Sequence, residues 1–116
     1  MGAFDDENIE VGPGRAAELI AAGEVQLVDV REPYEVEAGH IAGARHVELE
    51  RLASEADSIS RDTPVLFYCR LGARSGMAAN AFRRAGYEAY SLTGGIQAWH
   101  DGGHPLEPET GSVADH

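Results

Sequence analysis

Val65-Leu66-Phe67-Tyr68-Cys69-Arg70-Leu71-Gly72-Ala73-Arg74-Ser75-Gly76-Met77-Ala78-Ala79 changes character twice. Val65, Phe67 and Tyr68 are β-branched or aromatic, and with Leu66 they read as a buried strand. That strand runs into Cys69, the chain's one cysteine. A short loop of Arg70, Leu71, Gly72, Ala73 and Arg74 follows, and then a helical pattern begins. Ser75 reads as its N-cap, Ala78, Ala79, Phe82 and Ala85 recur at helical spacing, and Arg83, Arg84 and Gly86 mark its end. The thiol is therefore expected where a strand ends and a tight loop turns its amides towards a helix N-terminus.

Such a place favours thiolate over thiol, because converging N–H groups and the positive helix end stabilise negative charge. The guanidinium groups of Arg70 and Arg74 are expected to add to that field. A free thiol near pKa 8.5 falls to roughly 3.5–7.5 in surroundings of this kind. Gly72 suits a cradle that needs positive φ or a close backbone approach. A lone cysteine at a strand end is more often inert core. Two arginines directly after a core strand are hard to explain as packing, and they favour an anion-handling nucleophile. The reading requires a sulfur open to a partner and amides that point at it.

Outward from this stretch, apolar runs alternate with short helical patterns. Ile9 to Val11 reads as an edge strand, and Pro13 opens a helix running to about Ala22. Val25 to Val30 is a nearly continuous apolar strand, as in a doubly covered parallel sheet. A short helix starts at Pro33, and Gly39 to Ala44 is a turn. Arg45 to Val47 is a brief strand, and Leu49, Leu52 and Ala56 mark a small helix before a loop over 57–63. Tyr87 to Leu92 alternates as a strand, and Thr93-Gly94-Gly95 turns into a helix carrying Ile96, Ala98 and Trp99. The pattern predicts an α/β fold with a central parallel sheet and helices on both faces. Its site is expected beyond the C-terminal strand ends, where Asp29, Arg31, Cys69 and Gly94 all fall.

At 116 residues the chain fits one domain, read as 9–106, with a flexible N-terminus at 1–8 and a flexible tail at 107–116. Its net charge is −11, and all nine basic residues are arginine, so nucleic acid is not an expected partner. No apolar run is long enough to span a bilayer, so no membrane partner is expected. The acidic first residues do not resemble a signal peptide, which makes a cytoplasmic address the expectation. A single cysteine rules out an internal disulfide. His100 and His104 have the i,i+4 spacing of metal ligands, but Gly102-Gly103 intervenes and no third ligand is evident. Neither a metal nor a cofactor is expected.

The chain resembles the single-domain rhodaneses, a sulfurtransferase family, over about residues 9–106. Three separated segments carry the likeness: Leu27 to Pro33 with Gly39 to Ala44, Cys69 to Ser75, and Gly94 to Trp99 followed by Gly103 and Pro105. The resemblance implies that Cys69 takes the sulfane sulfur of a small anionic donor such as thiosulfate and holds it as a persulfide. A nucleophilic acceptor (cyanide, a thiol or a protein) then removes it in a ping-pong cycle. It further implies that the backbone of Arg70, Leu71, Gly72, Ala73 and Arg74 cradles the persulfide, while Arg70 and Arg74 attract the donor. Asp29 and Arg31, with Glu35 as a candidate partner, are expected to support the loop structurally, as is Ser75. Leu71 and Arg74 stand where some two-domain members carry Lys and Thr, which bears on donor preference.

Two other readings stand beside this one. A persulfide carrier or interaction module would dock on a partner without turning over alone. A cysteine-based phosphatase or arsenate reductase of related fold would have one residue more between Cys69 and the clamping arginine, giving a wider cradle.

Overall fold

The computed structural model describes residues 8–115. The expected frayed segment 1–8 lies outside them except for Asn8, whose side-chain oxygen accepts from the Glu10 amide at 3.0 Å. Five short strands are β1 (Glu10–Val11), β2 (Gln26–Asp29), β3 (Arg45–His46), β4 (Val65–Tyr68) and β5 (Ala89–Leu92). They form one sheet in the order β1-β5-β4-β2-β3, every pairing parallel. The helices are α1 (Pro13–Ala21), α2 (Pro33–Ala38), α3 (Leu52–Glu55), α4 (Ala73–Arg84) and α5 (Gly95–Asp101). Single 3-10 turns, Leu49–Arg51 and Ala56–Ser58, flank α3.

Strand alternation separates two apolar cores. Leu66 and Tyr68 of β4 face one side with Leu19 of α1 and Ile96 and Trp99 of α5. Val65, Phe67 and Cys69 face the other with Leu52, Ala78, Ala79 and Phe82 of α3 and α4. Tyr68 and Cys69 therefore point to opposite faces, as successive strand residues must. All four β4 residues are fully buried, which is why this stretch carries no polar side chain before the cysteine. Phe67 meets Phe82 edge-on, ring centroids 4.9 Å apart, and ties β4 to α4.

Pro13 and Pro33 each stand at the start of a helix, where a missing N–H costs nothing. Helix α2 is further held by a capping box between Glu32 and Glu35. Helix α4 begins earlier than the sequence implies. Gly72, at φ 116°, is its N-cap, and the Gly76 amide already donates to Gly72 O at 2.9 Å. Ser75 therefore lies within the first turn rather than capping it, and its hydroxyl donates back to Gly72 O at 3.2 Å while lying beside the sulfur.

The stretch read as a loose tail, 107–116, makes defined contacts over its described part. His40 and Glu107 exchange backbone hydrogen bonds at 3.0 and 2.7 Å, and the Ser112 amide donates to Ala38 O at 2.8 Å. Leu106 is buried and Val113 packs against the same core as α1 and α5. Val113, with Leu106 just before the stretch, sets it against that core. Among the described residues no helix is long and apolar enough to cross a membrane, and no cluster of His, Cys, Asp and Glu could hold a metal. His104 instead stacks on Trp99, ring centroids 4.6 Å apart.

Phe67→Ala is expected to destabilise the fold by about 3–5 kcal/mol. Met77→Ala, at a residue 58% exposed, should stay within about 0.5 kcal/mol. Urea unfolding of both variants checks the contrast.

Candidate active site

Three strand ends meet at one edge of the sheet. After β4 the chain passes Cys69 and turns through Arg70 and Leu71 to Gly72. Two backbone bonds set the direction of that turn. Ile96 N donates to Cys69 O at 2.9 Å, and Gln97 N donates to Arg70 O at 3.1 Å. The start of α5 thus takes up the two carbonyls and leaves the following amides to face the sulfur. Gly95, at φ 61°, sits so close that a Cβ there would overlap both carbonyl groups. Gly72 adopts a left-handed conformation that an L side chain rarely tolerates.

The Gly72 amide donates to Cys69 Sγ at 3.0 Å, and Ser75 Oγ lies 3.5 Å from the same sulfur. Ser75 Oγ is also 2.8 Å from Ser91 Oγ on β5. Burial pushes the Cys69 thiol up. The Ser75 hydroxyl and the amides of Ser75, Gly72 and Leu71 outweigh it, and the thiol titrates below its ordinary value. The largest favourable contributions are therefore dipoles rather than the arginine charges named from sequence. Contrary to the open sulfur expected from the sequence, the packing that holds it leaves Cys69 only 1% exposed. It nonetheless lines a cavity of about 240 Å³ with Arg70, Leu71, Ala73 and Arg74.

The remaining predicted residues divide by role. Arg31 is fully buried and forks onto Asp29, with Nε to Oδ1 at 2.9 Å and Nη2 to Oδ2 at 2.7 Å. It also donates to the carbonyls of Glu35 and Gly39, which pins the turn after α2. Burial opposes its charge, but Asp29 more than restores it, and Arg31 titrates above its ordinary value. Glu35 meets Arg31 through its backbone carbonyl and adds to the field that favours the Arg31 charge. Its carboxylate takes Arg74, at 2.8 and 3.1 Å, and the Glu32 amide at 3.0 Å. Hydrogen bonding to Glu35 holds the Arg74 guanidinium above its ordinary pKa. Arg74, expected from the resemblance to attract the donor anion, lines the cavity with its charge already matched by a buried carboxylate.

Arg70 is the more open cation. Its Nη2 meets Asp115 at 3.2 Å, and its Nε is buried without a hydrogen-bond partner. Tyr34 also reaches Asp115, donating to its backbone carbonyl at 3.2 Å. Two partners escaped the sequence reading. Ser91 had a signal, a hydroxyl residue within an otherwise apolar strand, Ala89 to Leu92. Asp115 had none, since its contact depends on the tail folding back.

Residues 12–101 match the family described as "Rhodanese-like domain". The chain belongs to that family. The thiosulfate sulfurtransferase GlpE of Tolumonas auensis is 37% identical over 86 residues, 73% of this chain and 81% of that protein. The uncharacterized protein YqhL of Bacillus subtilis is 48% identical over 75 residues, 64% of this chain, and the match spans 60% of YqhL's own length. The crystal structure of a rhodanese-related protein from Thermoplasma volcanium superposes with a TM-score of 0.79 at 28% identity, covering 84% of this chain and 95% of that one. At the level of the family these likenesses support sulfurtransferase-type function.

The ultraviolet thiolate absorbance of the protein, with Cys69→Ser as the blank, should titrate below the ordinary thiol value. The lowered pKa means that the ionised sulfur stabilises the fold above that ordinary value, and this contribution is lost as pH falls through the lowered one. Ser75→Ala removes a donor and should move the midpoint upward; a midpoint unmoved would exclude the hydroxyl. Arg74→Ala strips a buried carboxylate of its partner and should cost about 1.5–3 kcal/mol in urea unfolding. That loss of stability is the outcome expected from the Glu35 pairing.

Proposed function

We propose that the chain is a sulfurtransferase that carries sulfur on Cys69. The Cys69 thiolate attacks the outer sulfur of a donor such as thiosulfate. The donor's S–S bond breaks, sulfite leaves with the electron pair, and a persulfide remains on Cys69. An acceptor nucleophile then attacks the outer sulfur and Cys69 departs as thiolate, which completes covalent catalysis in two half-reactions. The observation that carries this reading is the sulfur itself, held by the Gly72 amide and the Ser75 hydroxyl at the wall of a small cavity.

The unpartnered Nε of Arg70 supports a role in meeting the donor's oxyanion, because a buried N–H left unsatisfied costs about 1–3 kcal/mol until a ligand accepts from it. The phosphatase reading finds less support. It needs a guanidinium committed to an oxyanion, and Arg74 is committed to Glu35. A cytoplasmic setting, where thiols stay reduced, suits the chemistry.

Mass spectrometry after exposure to thiosulfate should find one added sulfur on Cys69 and none on Cys69→Ser. Thiocyanate formed from thiosulfate and cyanide should disappear in the same variant. Turnover that survives the loss of the thiol would sink the proposal. A stable persulfide without thiocyanate would identify a carrier rather than an independent enzyme.

A further inference from the structure

The surface beside the cavity is acidic and then apolar, without a break. Arg74 lines both the Cys69 cavity and a neighbouring trough of about 260 Å³ whose other walls are Glu32, Glu48, Leu49 and Glu50. Leu49 in turn lines both this trough and an apolar groove of about 440 Å³, formed with Leu52, Met77, Phe82 and Tyr87. Met77 in the groove and Leu71 at the cavity are 58% and 57% exposed, large apolar side chains left open to water.

A small dianion makes no use of such a surface. The three carboxylates repel it, and Arg74, the cation they share the trough with, is already paired with Glu35. A polypeptide uses all of it. Resting on the sulfurtransferase reading above, we propose that the physiological acceptor is a cysteine thiol on a basic protein segment. Its Lys or Arg side chains face Glu32, Glu48 and Glu50, and an apolar residue beyond them enters the groove. The occupant is chosen by charge complementarity and by the continuity of the trough with the reacting sulfur. In the transfer the acceptor thiolate attacks the outer sulfur of the Cys69 persulfide. A new S–S bond forms to the acceptor, and the bond to Cys69 Sγ breaks with the electron pair staying on Cys69. The proton that the acceptor thiol gives up on ionising goes to the outer sulfur, which loading leaves as an anion, and no external oxidant or reductant is consumed.

The test uses the full chain, loaded with thiosulfate, freed of excess donor and checked for one added sulfur. Sulfur transfer is then measured to cyanide and to two synthetic cysteine peptides of equal length. One peptide carries basic residues followed by apolar ones, the other acidic residues in their place. The basic peptide should react with a kcat/KM at least about tenfold above the acidic one, and added salt should narrow the gap. E48Q/E50Q should lower the ratio of basic-peptide to cyanide transfer several-fold, and Met77→Gln should lower it for peptides that carry the apolar residues. Equal rates for the two peptides, or ratios unmoved by these substitutions, overturn the proposal while leaving the sulfurtransferase reading standing. Failure to load sulfur on Cys69 overturns that reading and this one together.

Discussion

The site depends on where two carbonyl groups point. At the end of β4 the backbone could leave the oxygens of Cys69 and Arg70 facing the sulfur, and an ionised thiol would then be repelled. The first amides of α5 prevent this: Ile96 and Gln97 donate to those oxygens and turn them away. The plane of the loop is set by that docking, and the amides of Leu71, Gly72 and Ser75 are left on the sulfur's side. Gly95 is required because any larger residue would stand where the carbonyls lie. A turn far along the chain is thus a condition for the chemistry of Cys69, without touching its side chain.

Charge is arranged with similar restraint. The chain is strongly acidic, yet the buried ionic groups around the site are matched. Asp29 holds Arg31 and Glu35 holds Arg74, both with short paired hydrogen bonds. A matched buried pair contributes little long-range field, and its worth is mainly geometric. Arg31 braces the turn after α2, and Arg74 fastens α4 to α2 beside the cavity. Thiolate stabilisation is left to neutral dipoles, which is why the amides and the Ser75 hydroxyl, rather than guanidinium groups, dominate the lowering of the Cys69 pKa. Dipoles act at contact and leave the outer rim of the site free to carry the opposite sign.

Much of this was legible in the chain. Runs such as Val25 to Val30 and Val65 to Tyr68 announce strands covered on both faces, and a parallel sheet gathers the loops after its strands at one edge. The thiol, the glycine at 72 and the loop between them could be read from spacing alone. Partners could not. Glu35 was within view as a neighbour of Arg31, but its choice of Arg74 depends on how α2 and α4 approach, which is a matter of packing. Ser75 looked like a cap because serine favours caps. Gly72 displaced it because a positive φ lets the helix start earlier in the chain. Tail residues 107–116 read as loose from composition, since Val113 and Ala114 among polar residues give no period from which to infer docking.

Burial of the thiol then needs to be squared with a protein acceptor. Cys69 is 1% exposed, and no polypeptide sulfur could approach Sγ itself through a cavity of about 240 Å³. Nor does it have to. In the proposed persulfide a disulfide-length bond of about 2 Å would hold the sulfane sulfur that far out from Sγ. The atom that an acceptor attacks is therefore the outer one. Seclusion keeps bulky reagents from the resting sulfur, and in the proposed cycle loading would set the electrophile in the cavity, whose wall at Arg74 is shared with the acidic trough. In the proposed cycle the first half-reaction would admit only donors that fit a cavity of about 240 Å³. The second would be open to a partner as large as the surface around it.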